Sequence, residues 1–434
     1  MYKRQLLAGL GTGFAATALP ASAFDGFVSP YDFGLQTDTD ADQTAVLQAA
    51  IDAASVTGKT LLLPTGEYYA GDLNLYGSIK GVPGQTHLLT AGNAPVGRVS
   101  LADVFIEGIN FGVGNSAPEG ENRGLVELDS ATRVTIRDCG FTGSSNGIAI
   151  FASSATIESC HFSELGDAAI HSFNSLGLFI RGNAIEGCGN AGIRIWREEN
   201  GPDGSIITGN RISRIDWKGG GNGQNGNGIN VFKADGVIVA DNHISDCAFT
   251  AVRANSANNT QIRGNTCLNS GEVAIFSEFA FSGSIIADNI IDGAATGISI
   301  TNLDTGGHLA TCTGNIVRNI APKSVVNPDT TPVGIFAEAE TVVDGNVVEN
   351  VPGIGILAGY GPFVRNVVIS DNVVADVKAG IGVSVVQDAT VGRVVVSGNL
   401  ISGAERDIVG MEWEAVVSND LAADQSRYPN ITIS

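Results

Sequence analysis

Along most of the chain, apolar and polar residues alternate in runs of three to five, and Gly, Asn or Asp interrupts each run. Alternation at period two marks strands with one buried face. A helical period occurs once: apolar positions 46, 47, 50, 51 and 54 share one face of a helix predicted over 42–56, with Asp42 placed to cap it. Elsewhere the short runs repeat. The pattern apolar-x-[Gly/Asp/Ser]-Asn-x-apolar sets asparagine at positions 183, 210, 242, 265, 289, 315, 346, 372 and 399. Cys139 and Cys160 take that place in two earlier repeats, and Ile109 in a third. From 109 to 399 there are eleven steps over 290 residues, about 26 each, with single steps of 21 to 32.

A coil of short strands, three to five residues each, cannot bury its own apolar face, whereas stacked coils share one core. The repeat therefore predicts an all-β chain: a single-stranded right-handed parallel β-helix of about 11–12 coils, closed at its N-terminal end by the capping helix. The domains read as an export signal over 1–23, a cap over 24–75 and the β-helix over 76–434. The recurrent asparagine is expected to make the turn itself, in the left-handed region that Asn tolerates. Its amide should bond along the stack at the strand spacing.

That register assigns faces. A strand reading Gly/Ala-Ile-x-Ile-x recurs once per coil, and alternation points its isoleucines inward. One outward row is then Ala149, His171, Arg194, Asn230, Arg253, Phe276, Ser299 and Phe336. Beside it runs Phe151, Phe173, Trp196, Phe232, Asn255, Glu278, Thr301 and Glu338. Four successive aromatics next to basic, amide and acidic groups are unusual for a solvent face. Flanking segments add Glu198, Trp217, Lys218, Lys233 and Asp304. The long step from 210 to 242 carries a Gly/Asn-rich loop, suited to a lid beside the rows.

Composition agrees with strands joined by tight turns: 57 glycines, 16% charged and 43% hydrophobic residues. The net charge of −21 argues against nucleic acid or an anionic membrane as main partner, because phosphate needs a positive field. Lys3-Arg4, a short apolar run and Ala21-Ser22-Ala23 form an export signal, with cleavage expected after Ala23. A periplasmic or secreted location follows, and no segment reads as a membrane span. The six cysteines form no Cys-x-x-Cys pair, so they read as small buried residues.

Tyr31-Asp32-Phe33-Gly34, the helix Thr44-Ala-Val-Leu-Gln-Ala-Ala-Ile-Asp-Ala-Ala54 and the strand Leu63-Pro64-Thr-Gly66-Glu-Tyr68 resemble the opening of the pectate-lyase-like β-helix superfamily. The whole chain also resembles twin-arginine-exported β-helix repeat proteins of unassigned activity, although Lys3 stands where the first arginine would. The resemblance implies polysaccharide chemistry. It carries over no catalytic residue, since neither the aspartate motifs of polygalacturonases nor the Asp-Pro-His-Asp motif of alginate epimerases occurs. Some members of the superfamily use calcium, but this chain shows no run of acidic ligands, so no cofactor is expected.

The resulting expectation is an exported carbohydrate-active enzyme with a polysaccharide or oligosaccharide in an elongated outer groove. Sugar rings would stack on Phe173, Trp196, Trp217 and Phe232. Asn230, Asn255, Lys233, Glu198 and Asp304 would bind hydroxyls. For a uronate lyase, Arg194 and Arg253 would clamp the carboxylate and His171 or Lys218 would take the α-proton. For a glycoside hydrolase, Glu278 and Glu338 stand two coils apart, about 9.6 Å by strand spacing, and Glu198, Glu199 or Asp304 could take the place of either. The alternative is a glycan-binding or surface-structural β-helix without turnover.

Overall fold

The computed structural model describes residues 26–434 apart from Asp38, Glu121, Asn222 and Asp329. The export signal expected over 1–23 lies outside the described residues. The chain winds into a right-handed parallel β-helix. Each coil carries three strands. In one coil these are Leu178–Arg181, Ala184–Cys188 and Ala191–Pro202; in the next, Ile206–Thr208, Arg211–Ile215 and Asn227–Asp235. Parallel pairing sets Ile180 against Ile207, Ile185 against Ile212 and Ile193 against Ile229.

The first strands of all coils form one sheet of sixteen strands among the described residues, from Phe27–Val28 to Ile431–Ile433. The second and third strands form a larger sheet that bends across the corner between two faces. The stack thus extends past the asparagine repeat at both ends. Thr60–Leu62 and Ser78–Lys80 are rungs whose turns lack the repeat signature.

Inward positions stack like on like. Ile136, Ile157, Ile180, Ile207, Val239, Ile262, Ile286, Cys312, Val343, Ile369 and Val396 form one fully buried column. Burial of each such side chain contributes about 1.5–3 kcal/mol. Phe111, Phe141 and Phe162 stack with centroids 5.2 and 4.8 Å apart. All six cysteines are buried and free. Burial pushes the thiols of Cys188, Cys267 and Cys312 up to about 12, so they remain protonated and pack as small apolar groups.

The asparagine ladder is continuous. From Asn183 to Asn372 each Nδ2 donates to the Oδ1 of the next asparagine at 2.9–3.0 Å. Each Nδ2 also meets a carbonyl of the preceding coil, as Asn289 does with Ile262 at 3.0 Å. One expectation is corrected. The left-handed residue is the one before the asparagine: Gly182, Gly209, Asp241, Gly264, Asp288, Gly314, Gly345, Asp371 and Gly398 have φ of 53–67°. This explains the Gly/Asp position of the repeat. The asparagines keep negative φ because their amides must point inward along the axis.

Helix α1 (Thr44–Thr57) lies over the N-terminal end and buries Leu47, Ala50, Ile51 and Ala54. Gln43 occupies the cap position, while the Asp42 carboxylate, one residue ahead, accepts from the Thr44 amide at 2.8 Å. No helix among the described residues is long and apolar enough to cross a membrane. Near the C-terminal end a hairpin of Arg406–Glu412 and Ala415–Ser418 turns back antiparallel on the outer surface.

Candidate functional site

Strand pairing places both outward rows on the third face in the expected register. Ala149, His171, Arg194, Asn230, Arg253, Phe276, Ser299 and Phe336 pair successively, as do Phe151, Phe173, Trp196, Phe232, Asn255 and Glu278. Exposure departs from expectation. His171, Arg194, Asn230 and Arg253 point away from the core, yet are 1%, 4%, 3% and 7% exposed.

Over Arg194, Asn230 and Arg253 the cover is the loop formed by 216–221 and 223–226. Trp217 anchors it, edge-on to buried Phe249 at 5.1 Å, with its indole N–H on the Gly221 carbonyl at 3.1 Å. Asn225 accepts from Arg194 at 2.8 Å, and the Gln224 carbonyl accepts from Asn230 at 3.2 Å. The Gly223 backbone, at φ +126°, lies on the Arg253 guanidinium, where a Cβ would overlap it. Trp217 is therefore an anchor of the loop and does not line the groove.

The charged groups beneath are already matched. Arg194 bonds Asp167 at 2.8 Å and lies over the Trp196 ring at 4.8 Å. Arg253 holds Glu278 with two bonds, 2.6 and 2.7 Å, and Glu272 at 3.3 Å. Asn255 donates to the same Glu278 at 2.8 Å. Burial raises Glu278 from the ordinary carboxylate value, with Arg253 opposing it. His171 meets no hydrogen-bond partner among the described residues, and burial pushes it down to about 4. Lys218 lines a separate recess with Glu164, Arg214 and Asp246. The lyase set is thus not brought together: its arginines are engaged by carboxylates, one base candidate is enclosed, and the other faces elsewhere.

Glu338 behaves differently. It is buried, accepts from the Leu303 amide at 2.7 Å, and has no cation opposite it among the described residues. Burial pushes its carboxyl up to about 7, and Asp304 adds to the rise. Asp304 is exposed on the turn Leu303–Thr305 beside it.

Where the cover ends, a recess of about 480 Å³ opens. Trp196, Phe232, Asn230, Asn255, Arg253, Gln224 and Phe279 line it. Trp196 and Phe232 are half-buried and edge-on at 6.2 Å, and the Trp196 indole N–H donates to Asn230 at 3.2 Å. Phe173 continues the aromatic row one coil earlier. Lys233 covers the outer side of Phe232 at 5.3 Å and donates to the carbonyl of exposed Glu198 at 2.7 Å. Sequence reasoning misses Gln224 and Phe279, which belong to a loop and to a left-handed turn (φ 57°) where no period operates.

The comparisons agree with this architecture. Residues 106–223 match the family model described as a right-handed beta helix region. No curated protein matches the chain by sequence. Among solved structures, the N-terminal fragment of bacteriophage phi29 gene product 12 is similar over 90% of this chain and 73% of its own, with 12% identity and a TM-score of 0.65. The catalytic unit of a GH87 α-1,3-glucanase from Streptomyces thermodiastaticus covers 91% and 71%, at 13% identity and TM-score 0.49. The A-module of mannuronan C-5 epimerase AlgE4 from Azotobacter vinelandii covers 94% and 100%, at 14% and 0.44. The first likeness is one of fold, the others are looser, and no residue role is carried from any of them.

Proposed function

We propose that this is an exported protein that holds an elongated polysaccharide along its third face, with one sugar ring seated in the recess at Trp196. The observation that carries this reading is the lining of the recess: two half-buried aromatic rings beside the amides of Asn230, Asn255 and Gln224. Aromatic rings offer apolar area to the faces of sugars, while amides donate to and accept from hydroxyls. The regular strand spacing, about 4.8 Å, repeats such contacts along the axis.

The test is binding of polysaccharides to the mature protein, followed through intrinsic tryptophan fluorescence. Trp196→Ala is expected to weaken binding at least tenfold, the effect of removing ~1.5–3 kcal/mol of aromatic contact. Unchanged binding in Trp196→Ala would remove the ligand from this recess.

Glu338 supports a second reading, hydrolysis. A general acid must hold a proton at working pH, and a carboxyl raised to about 7 does so. It would protonate the leaving oxygen, while Asp304 would activate water. Release of reducing ends should then fall as pH rises through about 7, because the protonated form is lost. Glu338→Gln should abolish release and leave binding intact; reducing ends produced at the wild-type rate by that variant would exclude the reading.

A further inference from the structure

A second groove lies on the same face toward the C-terminus, with a volume of about 490 Å³. Its floor is apolar, built on Phe336, Ile354, Leu357 and Met411. Phe336 ends the outward row that begins at Ala149, and Leu357 continues it by one coil. Arg253 at the first recess and Phe336 at the second are three strand pairings apart, ~14 Å along the axis. A ligand that occupies both must be elongated.

One wall is Trp413, at the tip of the hairpin. Its backbone is left-handed (φ 54°), an uncommon state for a bulky side chain. The ring stands edge-on to Tyr360 at 5.0 Å and fills the space above Gly361, which has no side chain to oppose it. It nevertheless keeps 48% of its surface exposed. The ring is thus held in place while one side stays open to solvent.

The lining also carries Lys378 and Arg406. Neither has an ion-pair partner among the described residues, whereas eleven other arginines do, in a chain of net charge −21. The groove's carboxylate, Glu414, is turned to the Tyr360 hydroxyl. In the first recess Arg253, the one cation in the lining among the described residues, is neutralised by Glu272 and Glu278. The cation in the first lining is thus offset by carboxylates, whereas Lys378 and Arg406 in the second are not.

We infer that the C-terminal groove is a second subsite of the same binding face, and that it selects an acidic polysaccharide by seating a uronate ring on Trp413 with its carboxylate at Lys378 and Arg406. This rests on the polysaccharide reading and adds the ligand's charge and a place for its distal part.

The experiment titrates the mature full chain with oligogalacturonides and oligoalginates of increasing length, and with neutral cello-oligosaccharides as the comparison. Acidic oligomers long enough to span both recesses should bind more tightly than short ones, and added salt should weaken them. Lys378→Met/Arg406→Met should weaken the long acidic oligomers about tenfold, as loss of two exposed charge pairs would, and remove the salt dependence. Trp413→Ala should weaken them as well; a thermal melt reports whether each variant is folded. Equal affinity for acidic and neutral oligomers, or a folded double variant that binds like wild type, overturns the inference. If Trp196→Ala still loses binding in that case, the polysaccharide reading stands without it. Binding to none of these oligomers overturns both.

Discussion

Asn289→Ala should lower the urea midpoint of unfolding steeply, with a loss on the order of 3–5 kcal/mol. Asn289 stands in the middle of the ladder and is fully buried. Its Oδ1 accepts from the Asn265 amide N–H at 2.9 Å and from the Asn265 side chain at 3.0 Å. Its Nδ2 donates to the Ile262 carbonyl and to Asn315 Oδ1. Truncation leaves the Asn265 N–H and the Ile262 carbonyl without these partners inside a packed coil, and each such group costs ~1–3 kcal/mol. Mutual polarisation along a chain of amides adds to the loss. Gln261→Ala, on the outer side of the neighbouring strand, should change stability by less than ~0.5 kcal/mol. If the two variants unfold at the same midpoint, the ladder has no energetic role.

Arg253→Met should destabilise by about 3–5 kcal/mol at neutral pH. The substitution keeps much of the side-chain volume but leaves Glu272 and Glu278, 4% and 2% exposed, without their cation. The sign of the pH dependence follows from Glu278. Burial already holds its folded pKa above the unfolded value, so its ionisation disfavours the folded state. Removal of Arg253 withdraws the main opposing influence and raises that pKa further. The deficit should be small within and below the ordinary carboxylate range, where Glu278 is still protonated in both folded proteins, and should grow as pH rises above it. Chemical denaturation of wild type and variant across pH checks this. A deficit that does not vary with pH would assign the loss to packing instead of charge.

Both variants probe features that differ in how far they are legible in the sequence. The ladder is read directly from recurrence, because a stacked coil repeats the same local demand at every rung. The period-two strand beside it likewise places Trp196 over Phe173, and Arg253 over Asn230, as the strand pairing has them. The role of each ladder position is less legible. Asn, Gly and Asp all tolerate the left-handed region, so spacing alone does not say which residue of Gly-Asn or Asp-Asn adopts it. The structure assigns it to the first, because the second must turn its amide inward.

The site divides in the same way. The rows, their order and their axial spacing follow from alternation and register alone. Burial of Arg194, Asn230 and Arg253 does not, because it depends on the loop formed by 216–221 and 223–226, whose run of Gly and Asn has no period and could lie in many places. Only the packed chain shows Trp217 fastened to Phe249, Gly223 laid on Arg253 and Asn225 joined to Arg194. Those contacts turn two expected clamps into enclosed ion pairs and leave the Trp196 recess open beside them. The C-terminal groove depends in the same way on a hairpin that folds back across coils distant in sequence. The sequence by itself therefore determined the coil, its register and the direction of each side chain, because these are local and repeat. The tertiary structure decided which outward side chains meet solvent and which meet one another, because that is set where irregular segments come to rest.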